Sequence, residues 1–104
     1  MKARIPNQGG QANMMKRLQQ MQDDMARVQK ECEEAEYSAS AGGGAIDVTV
    51  NGSHQVVSVK IQPDVVDPED VEMLEDLLVA AVNEAMRKAD ETMEREMGKI
   101  TGGM

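Results

Sequence analysis

Two stretches of helical periodicity, each longer than any strand between them, constrain this chain most. In the first, Met14, Leu18, Met21, Met25, Val28, Cys32 and Ala35 recur at alternating spacings of four and three. That is a heptad seam, flanked by Lys, Arg, Gln, Asp and Glu, and it predicts a helix from about Asn13 to Glu34. At 1.5 Å per residue it is roughly 33 Å long. In the second, Val71, Leu74, Leu78, Ala81 or Val82, Ala85, Ala89, Met93 and Met97 keep helical spacing. Asp67 reads as its N-cap, Pro68 as its first residue, and Glu69, Asp70 and Glu72 suit its positive end. From Pro68 to about Met97 this helix is roughly 45 Å long.

The segment between them reads as three short strands. Ala35, Tyr37 and Ala39 alternate with Glu36, Ser38 and Ser40, and Gly42-Gly43-Gly44 breaks the run. Ile46, Val48 and Val50 alternate with Asp47 and Thr49, a half-buried strand. Asn51-Gly52 signals a type I′ hairpin. Val57, Val59 and Ile61 mark a return strand over about Gln55–Gln62, with all three on one apolar face, and Pro63 ends it. The fold class is therefore α+β: long helix, three-stranded antiparallel β-meander, long helix. Strands of this length span only about 20 Å, so both helices overhang the sheet. An odd number of strands sends the overhangs to the same side, where Met14–Met25 faces Ala85–Met97. That pairing brings Lys16 and Arg17 near Arg95 and Lys99 at one protruding end, with Lys2 and Arg4 beyond. Residues 1–12 read as a flexible basic arm, 13–98 as a single domain and 99–104 as a flexible tail.

The chain has 104 residues and a single aromatic, Tyr37, with ten Met. A core without aromatics loses much of the area they usually supply, and a chain this short buries only about two-thirds of its unfolded surface. A second copy is the expected source of further burial. Met14, Leu18, Met21, Met25, Val48, Val50, Leu74 and Leu78 are the expected core or dimer-interface residues. The net charge of −8 hides an asymmetry: residues 1–22 sum to +4, residues 23–30 to zero and residues 31–104 to −12. A basic end on an acidic body orients a molecule on an anion despite its total.

No catalytic constellation can be assembled. His54 is the only histidine and stands in or beside the hairpin turn, Cys32 lies on the apolar seam, and no metal-ligand spacing occurs. Gly42–Gly44 precedes a strand rather than a helix N-terminus, which a phosphate loop requires. No enzyme, cofactor or small-molecule substrate is expected. The lone cysteine fits a reducing cytoplasm, and no apolar run reaches the roughly 20 residues that cross a membrane. The scarcity of aromatics disfavours single-stranded nucleic acid, whereas duplex DNA needs only phosphate contacts.

The runs Asp67-Pro68-Glu69-Asp70-Val71-Glu72-Met73-Leu74-Glu75-Asp76-Leu77 and Ala80-Ala81-Val82-Asn83 resemble the YbaB/EbfC nucleoid-associated proteins. So do Gly42-Gly43-Gly44, Val48-Thr49-Val50-Asn51-Gly52, Met97-Gly98-Lys99, Thr101-Gly102-Gly103 and the Met/Gln-rich opening from Asn13 to Gln22. The resemblance covers residues 13–103. It implies a bacterial protein of the cytoplasm and nucleoid, an intertwined homodimer with protruding helical arms, binding double-stranded DNA. It supplies no sharp contact motif; the role of the helix ends is carried onto Lys16, Arg17, Arg95 and Lys99, with Lys2 and Arg4 on the arm. Binding is expected through phosphates and duplex shape with little or no base readout, with an influence on nucleoid organisation and gene expression as a further expectation. The alternative is a chaperone-like helical-arm dimer that grips proteins without touching DNA.

Overall fold

A computed structural model describes residues 4–102, with side chains from Gln11 onward. The order is α1 (Arg4–Glu34), β1 (Glu36–Ala41), β2 (Ile46–Asn51), β3 (Val56–Ile61), a 3₁₀ turn (Pro63–Val65) and α2 (Val71–Thr101). The sheet is an antiparallel meander in the order β1-β2-β3. The molecule is 86 Å long and only 18 × 15 Å across, as helices of 31 residues on six-residue strands require.

The core is narrow. Ile46, Val48 and Val50 on β2 are fully buried against Ala81, Ala85 and Ala89 of α2. Alanines at i, i+4 and i+8 form one stripe of the helix and let its backbone settle close onto the β-branched residues. On β1 the partners of Val48 and Ile46 are Ala39 and Ala41, also small. Leu74, Leu77, Leu78, Val82 and Met86 pack around this contact, half-buried. Of the expected core residues, Val48 and Val50 are at its centre and Leu74 and Leu78 at its margin.

β3 departs from expectation. Val59 and Ile61 pair with Val48 and Ile46 and so share their face, yet α2 lies over β1 and β2 instead. Val56, Val57, Val59 and Ile61 are 40–49% exposed. An apolar strand thus stays uncovered beside a buried one. The expected single apolar face is also broken, because a bulge between Thr49 and Val50 shifts the register so that Val50 opposes Val56.

Three boundaries also differ. α1 begins at Arg4 rather than Asn13. Pro6 falls in its first turn, where an amide hydrogen has no intrahelical acceptor anyway, and Gly9 and Gly10 each cost only about 1 kcal/mol there. α2 runs on to Thr101, four residues past Met97 in sequence, where its Gly102 amide closes onto the Gly98 carbonyl. Its N-cap is Asp70, which accepts from the Met73 amide at 3.3 Å. Asp67 caps a separate turn instead: it accepts from the Glu69 amide through its side chain and from the Asp70 amide through its carbonyl, with Pro68 at the turn position that suits its fixed φ.

The Asn51-Gly52 hairpin is not a two-residue type I′ turn. Asn51 and Gln55 close a wider loop, with the Asn51 side chain accepting from the amides of Ser53 and Gln55. The residue with positive φ in that loop is His54, at 64°. Gly52 has a different task. Its amide donates to the Glu33 carbonyl at 3.1 Å, and a Cβ on it would lie 2.0 Å from the Cys32 carbonyl oxygen. The glycine lets the end of α1 rest directly on the hairpin. Gly52→Ala is therefore expected to destabilise the fold by about 3 kcal/mol through overpacking against backbone. Gly43→Ala, which meets open space and is strained only by its φ of +68°, should cost about 1 kcal/mol. Urea unfolding at matched protein concentration checks both, and equal effects would remove the close-approach explanation.

Candidate nucleic-acid interface

α1 leaves the sheet at a firm root. Besides the Gly52 contact, the Tyr37 hydroxyl donates to the Cys32 carbonyl at 3.1 Å, so β1 and β2 both hold the last turn of the helix. Cys32 is buried there. From this root α1 runs outward against α2, with Met21, Met25 and Val28 half-buried along the seam. The two helices are antiparallel in this stretch, as the overhang argument requires. Near its end α2 places Lys99 and Ile100 against Met14, Arg17, Leu18, Gln20, Met21 and Asp24 of α1, and these residues line an open cleft of about 800 Å³. Beyond that cleft the backbone of α1 extends outward to Arg4. Met14 and Leu18, expected at the interface or core, are 64% and 47% exposed, and Met15 is 71% exposed.

Of the expected DNA-binding residues, the structure brings Arg17 and Lys99 to one cleft. Lys16 and Arg17 are exposed, and among the described residues neither has a carboxylate within ion-pair distance. Arg95 and Lys99 are on the same helix end, but both lie against Glu96, at 3.8 and 3.1 Å. Lys2 and the side chain of Arg4 lie outside the described residues. Most other cations are also engaged. Arg27 sits between Asp24 and Glu31 at 3.3 and 3.7 Å. Arg87 is gripped by Glu84 and Glu91; hydrogen bonding to Glu84 raises its guanidinium pKa further, and in return lowers that of the Glu84 carboxyl. Lys88 donates to the Ser38 carbonyl at 2.9 Å. Exposed i,i+3 and i,i+4 pairs add little stability, but they cancel charge locally. Among the described residues of α1, the cations without a carboxylate at ion-pair distance are therefore Lys16 and Arg17 toward the tip and Lys30 near the root.

Two features escaped the sequence reading. His54 is exposed in its turn, as expected, but its Nε2 lies 2.6 Å from Asp90 Oδ1 and ties the hairpin to α2. The partners are 36 residues apart, so only the fold reveals them. The neutralising role of Glu96 was also missed, although its neighbours Arg95 and Lys99 at i−1 and i+3 are readable in the sequence. Among the described residues, no group of three or more His, Cys, Asp or Glu is placed to hold a metal ion, and no helix is long and apolar enough to cross a membrane.

Residues 8–104 match the model of the YbaB/EbfC DNA-binding family. The chain belongs to that family. It is 59% identical over 103 residues to a nucleoid-associated protein of Alkaliphilus metalliredigens, covering 96% of this chain and 90% of the relative. It is 53% identical over 104 residues to one of Acetivibrio thermocellus, covering 99% and 92%. Its fold matches the crystal structure of an uncharacterized protein of Helicobacter pylori with a TM-score of 0.62 at 22% identity, over 75% of this chain and 82% of the other. Helix, three-stranded antiparallel sheet and helix are thus the architecture of this YbaB/EbfC chain and of a distant structural neighbour alike.

The root of α1 offers a direct pH test. Burial pushes the Tyr37 phenol above its usual value; the Cys32 beside it adds to the effect through its electrostatics and hydrogen bonding, as does Glu96, while Arg95 offsets part of it. The folded state thus holds this proton more tightly than the unfolded chain. The stabilisation is complete below about pH 10 and is lost as pH rises through the folded value. As Tyr37 is the only aromatic, its phenolate absorbance should rise at higher pH than that of the urea-unfolded protein. Tyr37→Phe should flatten the alkaline loss of stability; coincident titration curves would contradict this account.

Proposed function

We propose that this protein is a homodimeric, non-enzymatic component of the bacterial nucleoid that grips duplex DNA with the projecting ends of α1. Membership of a DNA-binding family supports the DNA-binding role, and relatives named nucleoid-associated proteins support the location. The observation that carries the site assignment is the unpaired, exposed Lys16-Arg17 pair on a helix that outreaches its partner. Lys99 and Arg95 contribute beside it, weakened by Glu96, and Lys2 and Arg4 extend the same positive stretch in sequence. Affinity comes from phosphate contacts and duplex shape, because lysine and arginine neutralise phosphates without reading sequence.

The dimer reading is supported by the uncovered strand. Val56, Val57, Val59 and Ile61 form an apolar strip larger than scattered exposed residues explain, and Val71 and Val79 of α2 are also open, at 48% and 58%. A second copy related by a two-fold axis covers its own equivalent strip in the same act. Two α1 ends on one dimer double the cation count and straddle one duplex.

Three outcomes test this reading. Lys16→Glu with Arg17→Glu should lower duplex affinity at least about tenfold at low salt and leave the dimer intact; unchanged gel-shift affinity removes the assignment. Wild-type affinity should fall steeply with added salt, and the double variant should show a shallower slope. Val59→Asp with Ile61→Asp should convert the dimer to monomer in sedimentation at micromolar concentration, since each buried unpaired carboxylate costs several kcal/mol. A dimer that survives both aspartates is held by another surface.

A further inference from the structure

The cleft near the tip has apolar walls from both helices, Met14, Leu18 and Met21 of α1 and Ile100 of α2, with Arg17 and Lys99 beside them. Met14 and Leu18 are exposed, so their own chain does not fill it. Among the described residues Arg17 has no carboxylate at ion-pair distance. Asp24 also lines the cleft, but Arg27 stands 3.3 Å from it. Lys99 has Glu96 at 3.1 Å, a surface pair of the kind that adds little. An occupant that suits this cleft brings an apolar side chain and carboxylates together.

The chain carries such a group at its opposite end. β3 starts at the hairpin that touches Glu33 through Gly52 and Asp90 through His54. It runs from there to the far end of the sheet, where Gln62 bonds Ala45 and Gly42 approaches Leu77 near the start of α2. In the loop that follows, Val66 is 53% exposed, with Asp64, Asp67 and Glu69 around it. The stretch between Lys60 and Arg87 has eight acids and no base. Asp67 is committed to the Glu69 amide, which leaves Asp64 and Glu69 as the carboxylates to meet a partner. α2, 31 residues and roughly 45 Å long, separates this loop from the cleft, so the two cannot meet within one molecule. We propose that the cleft takes the β3–α2 loop of a second copy, with Val66 against Met14, Leu18 and Ile100 and the loop carboxylates against Arg17 and Lys99. The two surfaces differ and every copy has both, so the contact repeats head to tail. It is separate from the β3 strip and requires neither the DNA-binding nor the dimer reading. In a chain that binds duplex as proposed above, a tip seated on a second copy withholds Arg17 from phosphate.

Sedimentation equilibrium of the full chain, without nucleic acid and at rising protein concentration, tests the contact. At low salt the average mass of the wild type should keep climbing with concentration, and high salt should reverse the climb. Arg17→Glu with Lys99→Glu should weaken this association at least about tenfold, and so should Asp64→Lys with Glu69→Lys. Within each variant the cleft and the loop then carry the same sign. Mixing the two variants restores opposite signs at every contact and should bring the climb back, a recovery that misfolded chains could not give. Lys16 is the control, since it stands about 160° around the helix from Met14 and outside the cleft lining. Lys16→Glu should change the association by less than about twofold, and Arg17→Glu alone by more. A wild-type mass that never climbs, or that stops at one doubling, overturns the proposal. So does a mixture that stays at the masses of its parts, or a Lys16→Glu effect equal to that of Arg17→Glu. Each of these failures leaves the DNA-binding reading to its own gel-shift test.

Discussion

The contact between three alanines of α2 and three β-branched residues of β2 sets the rest of the molecule. Ala81, Ala85 and Ala89 are small enough to bring the helix backbone onto Ile46, Val48 and Val50, and this is where burial is complete. A core of that width covers two strands and no more. β3 is left open because α2 sits over β1, whose inward residues Ala39 and Ala41 leave room for it. The apolar outer strand therefore follows from how the alanine stripe seats the helix. Larger residues at 81 or 85 would lift α2 and lose the contact instead of widening it.

The helices then exceed what this small core can use. Past Asp90, which meets the hairpin through His54, α2 runs alongside α1 as far as the Lys99-Ile100 cleft. The arm is stiffened by the seam of Met21, Met25 and Val28 and fixed at its base by Gly52 and Tyr37. Base and tip are complementary in their chemistry. The base has a glycine where no side chain fits and a phenol that caps a helix carbonyl; the tip carries long flexible side chains, with Met15 and Lys16 exposed and Met14 and Arg17 opening onto the Lys99-Ile100 cleft. A rigid lever with an adaptable end suits a ligand whose shape varies along its length.

Periodicity made the element order, the strand pairing, the overhang and the α1–α2 pairing legible, because each follows from spacing and chain direction alone. What stayed hidden depends on distance across the fold. Gly52 reads in sequence as half of a tight turn, yet its necessity comes from a carbonyl twenty residues earlier that approaches it in space. Asp67 and Asp70 are both good caps by composition, and only the turn geometry decides between them. The exposure of Val59 and Ile61 could not be read from alternation, since a strand's pattern says which side is apolar but not whether a helix reaches it. At the tip, sequence identified the cations; which of them are neutralised required the positions of Glu96 and its neighbours.

The net charge of −8 at first opposes a nucleic-acid ligand, and distance resolves the conflict. Residues 31–104 carry the excess acid, whereas Lys16 and Arg17 stand about fifteen residues outward from the helix root, roughly 22 Å at 1.5 Å per residue. At physiological ionic strength the screening length is about 8 Å, so the carboxylates around the root lie nearly three such lengths away, and the acids close to the tip are Asp24, which lines the cleft with Arg17, and Glu96, which pairs with Lys99. A phosphate at the tip meets the local cations and little of the total. A phosphate near the body comes within one screening length of the carboxylates of α2 and is repelled. The acidic surplus thereby does for orientation what the basic pair does for attraction: it excludes sideways encounters and leaves the arm ends as the approach of lowest energy.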